Sequence, residues 1–426
     1  MNATSSSSKP SGSGGAVGAH RASSIRPLKS GGQQAPAAGP SRERGISDFL
    51  EVRPAVHGAA GGGRGSGGPG GLPPVAARLG ADPQGRVFGT QLSPGSSELL
   101  PVRCPGTGWV VSVFQHMGDR KTQEDRFAVV PNLEFDGRTP VSFFGVFDGT
   151  VGDFASDNVK DLVVPKLLES PSWWALKSVP PTHPGEQEKL LEQAMRDMYR
   201  NADDVLLQLC SKSKEHYATS TSVTALVLGE MIAIGHLGDS RIVLGKEVMT
   251  QGQSTPGLVG EQLTIDHKPD QENERSRIEK CGGMVERLPN HNNKPFIRGG
   301  DFTMRKAMGE QPMQLQYSRA FGAKDLKIFG MSNVPDVRII RMGRDAYRGV
   351  RFLILASDGL WDVLSAQHAV AIAQQAVSQD LNPAECLVRQ ALQEQAKRKV
   401  RADNVTAICI QFDQPRRDRQ PASPQR

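Results

Sequence analysis

The clearest pattern in the chain is a run of apolar residues that ends in one carboxylate and a glycine. Positions 141–147 are apolar almost throughout and lead directly into Asp148 and Gly149. This run predicts a strand buried on both faces that delivers Asp148 to a tight turn. A lone carboxylate is costly to desolvate, so it needs a basic side chain or a metal ion nearby. An ordinary turn residue that accepts backbone N–H bonds is the alternative.

Carboxylates occur at the ends of apolar strands in three further places: Asp358 after residues 351–357, Glu124 and Asp125 before residues 127–130, and Asp403 before residues 405–410. If these strands share one core, their carboxylates converge at one end of it. Such a cluster stays ionised only with cations between its members. Oxygen ligands without histidine or cysteine favour Mg²⁺ or Mn²⁺ over Zn²⁺.

The remaining pattern predicts the fold class. Helical periodicity marks residues 186–212, 272–280, 366–378 and 383–397, and Asp153 is a candidate N-cap for one more helix. Strands and helices come in runs, without strict alternation. This order predicts an α+β fold in which antiparallel sheets are covered by helices.

Composition divides the chain unevenly. Of its 46 glycines, 21 lie in residues 1–104, beside many Ser, Pro and Ala and few large apolar residues. Such a segment cannot bury enough surface to offset its ordering entropy, which predicts a disordered basic tail over residues 1–104. A folded domain is predicted for residues 105–413, followed by a second disordered basic tail at 414–426.

Charge and cysteine content exclude several classes of protein. The whole net charge of +6 comes from residues 1–104, so the balanced folded domain is not expected to bind nucleic acid. No run is apolar enough to span a bilayer, and the N-terminus lacks a secretory pattern. The five cysteines show no C-x-x-C pair, which favours a reducing compartment, cytoplasmic or nuclear. A monomer is expected.

Nine short motifs, in one order, resemble those of the PPM or type 2C metal-dependent protein Ser/Thr phosphatases. They are Asp119-Arg120 with Glu124-Asp125, residues 144–149, 219–225, 238–241, 266–269, 277–283, 318–322 and 356–362, and Asp403-Asn404. Each motif alone is weak, but nine in register make a chance match improbable. On these motifs the chain is identified as a member of that family.

The resemblance implies two packed antiparallel sheets with helical layers outside. It also implies a set of metal ligands: Asp148 bridging two ions, Glu124 and the Gly149 carbonyl on one ion, Asp358 and Asp403 on the other, and Asp239 on a weaker third. On its local pattern alone, Asp239 is equally a turn residue. Arg120 resembles the arginine that binds the substrate phosphate, because its planar fork suits bidentate capture. The alternative for Arg120 is a surface ion pair.

Two departures from the family bear on activity. The family usually carries a histidine after Asp-Gly that protonates the departing alkoxide, whereas this chain has Thr150, which is no acid at neutral pH. Asp153 and His236 are candidate substitutes, although a helix cap and a packed strand residue are the more ordinary interpretations. Ala323 replaces an aspartate, which is expected to alter only the surroundings of the ligands or the third metal.

The expected function is therefore a Mg²⁺- or Mn²⁺-dependent phosphatase. It would hydrolyse phosphoserine and phosphothreonine in phosphorylated proteins through a metal-bridging hydroxide, with Asp148 and Arg120 as catalytic residues. A connection at 286–316 is rich in Lys and Arg, which would suit acidic surroundings of the phosphosite or form a solvated loop without preference. The alternative function is a catalytically silent, phosphatase-like scaffold that regulates a partner protein, as Thr150 and Ala323 would allow.

Overall fold

A computed structural model describes residues 87–88, 97–105, 107–133, 135–249, 256–343, 347 and 349–412, with side chains from residue 101 onward. Two six-stranded antiparallel sheets dominate this part of the chain. The first sheet has the strand order β1 (Val87–Phe88), β4 (Arg126–Val130), β5 (Val141–Phe147), β8 (Ser222–Leu228), β9 (Met231–Leu237) and β16 (Asp336–Arg341).

The second sheet has the order β11 (Gly257–Gln262), β10 (Arg241–Val248), β17 (Val350–Ala356), β18 (Val405–Gln411), β3 (Val110–His116) and β2 (Ser97–Arg103). Two three-stranded sheets are smaller: β12 (Gly283–Leu288), β13 (Lys294–Gly299) and β14 (Gln314–Leu315), and β15 (Phe321–Gly322), β7 (Thr219–Ser220) and β6 (Gly149–Thr150).

Alternation along β5 explains why the sheets stack. Phe144 and Val146 face a core that they share with residues of the second sheet, such as Leu353 and Ile408. Phe143 and Phe147 face the opposite side, toward the helices. A strand with both faces buried has an unbroken apolar run, which is why the sequence shows no polar alternation here.

Helices cover both outer faces. On the first sheet lie α1 (Phe154–Leu168), α2 (Pro171–Leu176) and α3 (Pro184–Ser213). The remaining helices are α4 (Glu272–Lys280), α5 (Phe302–Ala307), α6 (Lys324–Lys327), α7 (Asp358–Trp361), α8 (Ala366–Ser378) and α9 (Pro383–Lys397), of which α7 to α9 cover the second sheet. The predicted α+β sandwich with helical layers is confirmed.

The N-terminal boundary differs from the prediction of a disordered tail over residues 1–104. β1 pairs with β4 and β2 pairs with β3, so residues 87–88 and 97–103 belong to the sheets. β2 supplies hydrogen-bond partners to the backbone of β3, which would otherwise be an exposed sheet edge. Backbone hydrogen bonding of this kind does not depend on side-chain composition. Cys104, the last residue of the predicted tail, is 2% exposed and packs in the core between the two sheets. Residues 1–86, 89–96 and 414–426 lie outside the described residues.

Among the described residues, no helix combines the length and the apolar character needed to cross a membrane.

Candidate active site

Four predicted carboxylates lie at the ends of central strands. Asp148 directly follows β5, Asp239 precedes β10, Asp358 begins α7 just after β17, and Asp403 precedes β18. Burial is the largest cause that raises the pKa of Asp148 well above its usual range, followed by the charges of Asp358, Asp125, Asp403 and Asp239. The structure therefore brings these carboxylates within electrostatic reach of one another.

The same forces act on Asp358. Burial, then the charges of Asp239, Asp403 and Asp362, hold its pKa well above the usual range, against a smaller opposing effect of Lys268. Two chain segments from different sheets thus place charges of the same sign in one region of low polarity, where a bound cation would remove the repulsion.

Basic side chains neutralise only part of the cluster. Arg120 Nη2 lies 2.6 Å from Asp403 Oδ2, and Lys268 Nζ pairs with Asp239 Oδ2. The carboxylates of Asp148 and Asp358 have no ion-pair partner within the described part of the chain. The alternative interpretation of Arg120 was a surface ion pair. Arg120 does form an ion pair, but its partner, Asp403, is a predicted metal ligand.

Glu124 and Gly149 lie against each other. The backbone N–H of Gly152 donates to Glu124 Oε2 at 3.1 Å, and the Glu124 N–H donates to Asn404 Oδ1 at 2.7 Å. A Cβ at Gly149 would lie 2.5 Å from the Glu124 carbonyl oxygen, so only glycine allows this approach. The contact with Asn404 places the Glu124 segment beside Asp403.

A second buried carboxylate supports this arrangement. Asp125 is 1% exposed, and Ser357 Oγ donates to its Oδ2 at 2.8 Å. Burial raises the pKa of Asp125 to about 7. Because Ser357 precedes Asp358, this bond ties the Glu124 segment to the Asp358 segment. The sequence analysis assigned no role to Ser357. The one signal for a role was its position directly before Asp358.

Neither candidate substitute for the missing histidine is free. Asp153 is the N-cap residue of α1, as predicted, but its side chain makes no cap bond and pairs with Arg126 at 2.6 Å. His236 Nε2 lies 2.9 Å from the carbonyl of Ile265. Burial, and then His267, lower the pKa of His236 to about 4, so its ring is neutral at pH 7. Both side chains are engaged in packing or pairing.

Thr150 instead accepts a hydrogen bond from the hydroxyl of Tyr317 at 2.9 Å. Tyr317 is 6% exposed and directly precedes the motif at 318–322. Sequence reasoning missed this tyrosine, since nothing in the pattern around it signals contact with residue 150.

The second departure, Ala323, is the N-cap residue of α6 with φ +50°, and its N–H donates to the Ala218 carbonyl at 2.9 Å. It packs in a separate apolar cluster with Leu326. The nearby buried carboxylate is that of Asp203, which accepts from the Gly322 N–H at 2.7 Å and pairs with Lys327.

Acidic side chains pair with most cations of the basic connection at 286–316, and three of these acids lie outside the connection. Its ion pairs are Arg287 with Asp270, Arg298 with Glu286, Lys294 with Asp362, and Arg305 with Glu310 and Asp325. Lys306 lies over the ring of Phe302. Most cations of the connection are therefore paired with acids, some inside it and some in other segments.

Outside the carboxylate cluster, possible metal-ligand atoms lie within 4.8 Å of one another in a further group, which consists of His236, His267 and Asp336. The Gly238 N–H donates to His267 Nδ1 at 3.0 Å, which places the proton of a neutral ring on Nε2, 3.3 Å from Asp336 Oδ2. A metal ion would need the lone pair of that Nε2. The contacts therefore describe a structural His–Asp pair.

Comparison with known proteins decides the family. The sequence profile described as "Protein phosphatase 2C" matches residues 109–401. The chain belongs to the protein phosphatase 2C family. It is similar to "Probable protein phosphatase 2C 44" of Oryza sativa subsp. japonica, with 30% identity over 66% of this chain and 72% of the relative. It is also similar to "Probable protein phosphatase 2C 75" of the same plant, with 31% identity over 65% of this chain and 67% of the relative.

A solved structure agrees with this assignment. The crystal structure of serine-threonine phosphatase 2C from Toxoplasma gondii has a TM-score of 0.68 and 51% identity, and covers 75% of this chain and 100% of that one. The prediction of a metal-dependent protein serine/threonine phosphatase is confirmed, with dependence on divalent metal as the family property. No comparison favours the silent scaffold.

Proposed function

We propose that this phosphatase 2C hydrolyses phosphoserine and phosphothreonine with two Mg²⁺ or Mn²⁺ ions. The proposed ligands are those predicted from the sequence: Glu124, Asp148, the Gly149 carbonyl, Asp358 and Asp403, with Asp239 for a third ion. The observation that carries the proposal is the pair Asp148 and Asp358, which are held close to other carboxylates without an ion-pair partner among the described residues. Such a pair is costly unless cations bind it.

The donor set fits hard divalent cations. Carboxylates and one backbone carbonyl are the oxygen ligands that Mg²⁺ and Mn²⁺ prefer, and the proposed set contains no histidine or cysteine. When bound, divalent ions neutralise charge on the phosphoryl group and activate water as the nucleophile. The chain itself supplies no other nucleophile in this proposal.

Arg120 would orient the substrate phosphate. Its side chain is 49% exposed, and its planar guanidinium suits two oxygens of one phosphate. Its present partner is Asp403, which Nη2 contacts at 2.6 Å, and the guanidinium has further N–H donors that can face a phosphate. The position of that partner supports the proposal, because it places the guanidinium beside the carboxylate cluster.

We also propose that basic residues near Arg120 in the chain favour substrates with acidic residues beside the phosphosite. Arg401 Nη2 donates to the Asp119 carbonyl at 2.9 Å, which ties the basic run 397–401 to the Arg120 segment. Lys121 and Lys399 are exposed and make no ion pair with described residues. Lys399 also has φ +55°, a conformation that favours glycine, so a lysine at this position carries a conformational cost.

The test is hydrolysis of a phosphothreonine peptide by the purified full chain with Mn²⁺. Asp148→Ala should abolish it, and a chelator should do the same to the parent. Asp204→Ala is the matched control, because Asp204 is exposed on α3 and is distant in sequence from the proposed ligands. Equal rates for Asp148→Ala and parent would discard the proposal.

A further inference from the structure

A buried tyrosine hydroxyl is aimed at a residue next to the carboxylate cluster. Tyr317 lies between β14 and β15, and its hydroxyl donates to Thr150 Oγ1 at 2.9 Å. Thr150 ends β6, two residues after Asp148, and pairs with Thr219 of β7. The hydroxyl pair is thus fixed by two segments that are distant in sequence.

The direction of this bond leaves the threonine hydroxyl able to donate. A tyrosine hydroxyl has one proton, and that proton is used on Thr150 Oγ1. The proton of the Thr150 hydroxyl is then free for another acceptor. Thr150 is partly exposed whereas Tyr317 is buried, so of the two hydroxyls it is Thr150 that a bound substrate can reach.

Burial favours the neutral, hydrogen-donating form of the Tyr317 hydroxyl. Burial raises its pKa far above the usual value, and the charges of Asp148 and Asp239 act in the same direction. These two charges also locate the phenol beside the cluster. A phenol that keeps its proton can donate it to Thr150 Oγ1.

The reaction needs such a donor. Water attacks phosphorus, a new P–O bond forms, and the bond to the serine or threonine oxygen breaks, so that oxygen leaves with the electron pair. An aliphatic alkoxide is a poor leaving group unless hydrogen bonding or a proton stabilises it. The two candidates from the sequence, Asp153 and His236, are engaged elsewhere.

We propose that the Thr150 hydroxyl donates a hydrogen bond to the leaving oxygen of the substrate, and that Tyr317 holds it in the donating orientation. Thr150 keeps its own proton, and the departing alcohol takes its proton from water. Thr150 is then a catalytic residue and Tyr317 a positioning residue. The inference rests on the proposed function, since it assumes that phosphate esters are hydrolysed at the Asp148 centre.

Two substrates separate this role from a structural one. A phosphothreonine peptide loses an alkoxide, whereas p-nitrophenyl phosphate loses a phenolate that needs little help. Thr150→Val keeps the side-chain shape and should lower kcat on the peptide about tenfold, the effect of one hydrogen bond. The rate on p-nitrophenyl phosphate should stay within about twofold. Thr150→Ser should restore the peptide rate, and Tyr317→Phe should lower it in the same way as Thr150→Val.

Tyr199→Phe is the matched control. Tyr199 is also fully buried, and its hydroxyl lies 2.9 Å from Thr224 Oγ1, but it belongs to α3 and packs in the core between that helix and the first sheet. It should not change the ratio of the two rates. Equal losses on both substrates in Thr150→Val and Tyr317→Phe, or no loss on the peptide, would overturn the inference. If the parent hydrolyses neither substrate, the proposed function itself fails.

Discussion

The guanidinium Nη2 of Arg120 lies 2.6 Å from Oδ2 of Asp403. One contact thus joins the residue proposed to bind phosphate and a residue proposed to bind metal. Because Asp403 cannot serve Arg120 and a metal ion equally well, metal and arginine compete for the same carboxylate. Arg120 is therefore expected to have two separable effects, one on substrate binding and one on the affinity for metal.

Replacement of Arg120 should therefore weaken catalysis and strengthen metal binding. Arg120→Ala should lower kcat/KM on a phosphothreonine peptide by about 10- to 100-fold, the effect of a hydrogen bond to a charged group, roughly 1.5–3 kcal/mol. It should also lower the Mn²⁺ concentration needed for half-maximal activity, because Asp403 loses a competing cation. Arg389→Ala, in an exposed pair on α9, is the control for both. An unchanged or higher Mn²⁺ requirement would contradict the competition.

A single methyl group at Gly359 should damage the centre without removing any ligand. A Cβ there would lie 2.1 Å from the Asn404 carbonyl oxygen, and backbone cannot move aside cheaply. Gly359→Ala should lower the free energy of unfolding by about 1–3 kcal/mol and weaken Mn²⁺ binding, because Asp358 and Asp403 flank the clash. Denaturant unfolding of chelator-treated protein and a Mn²⁺ titration measure the two effects.

Gly185→Ala is the matched control for that variant. Gly185 lies in the first turn of α3, and a Cβ added there would meet no other atom within 4 Å. The alanine should stabilise the protein by about 0.4–1 kcal/mol and leave Mn²⁺ binding unchanged. A Gly359→Ala protein as stable as the parent would show that the two segments are not in contact as described.

The fold was predictable because its strands carry strong apolar runs. Residues 141–147 and 405–411 are strands with both faces buried or nearly so, and each run lies next to a carboxylate. The helix at 272–280 agrees with its prediction at both ends. β2 was not predicted, because a strand added at a sheet edge is specified mainly by backbone hydrogen bonds, which leave little trace in composition.

The candidate site was predictable only in its carboxylates. Their place at strand ends follows from hydrophobic pattern, whereas pairing between distant segments does not. The bonds from Ser357 to Asp125 and from Tyr317 to Thr150 span 232 and 167 residues of sequence. The basic composition of residues 286–316 left two alternatives open, a flap suited to acidic surroundings of the phosphosite and a solvated loop. The structure pairs most of its cations with acids, and composition does not reveal which acids fold against them.

Lys399 should report on the proposed preference for acidic substrates. Lys399→Gly removes the charge and relieves φ +55°, so it should stabilise the protein by about 1 kcal/mol and lower kcat/KM on a phosphopeptide with acidic flanks. Lys399→Ala removes the charge alone and should lower kcat/KM equally without the gain in stability. Hydrolysis of a phosphopeptide with neutral flanks should not change in either variant. Equal losses on both peptides would exclude the preference.

His236 should make the free energy of unfolding fall as the pH is lowered below 6.5. Its folded pKa is about 4 against an ordinary 6.5, because burial and His267 disfavour the charged ring. Below pH 6.5 the unfolded chain binds a proton that the folded chain does not, so the contribution is fully present above pH 6.5 and is lost as pH falls toward 4. The loss reaches up to about 3 kcal/mol.

His236→Gln should reduce the loss in free energy of unfolding between pH 6.5 and 4, because glutamine binds no proton in that range. Glutamine still offers an N–H to the Ile265 carbonyl. Denaturant unfolding at several pH values, with chelator present to keep metal binding out of the comparison, measures the loss. His216→Gln removes an exposed histidine and should leave the loss as in the parent. If His236→Gln loses as much stability between pH 6.5 and 4 as the parent does, the buried ring at position 236 is protonated in the folded protein.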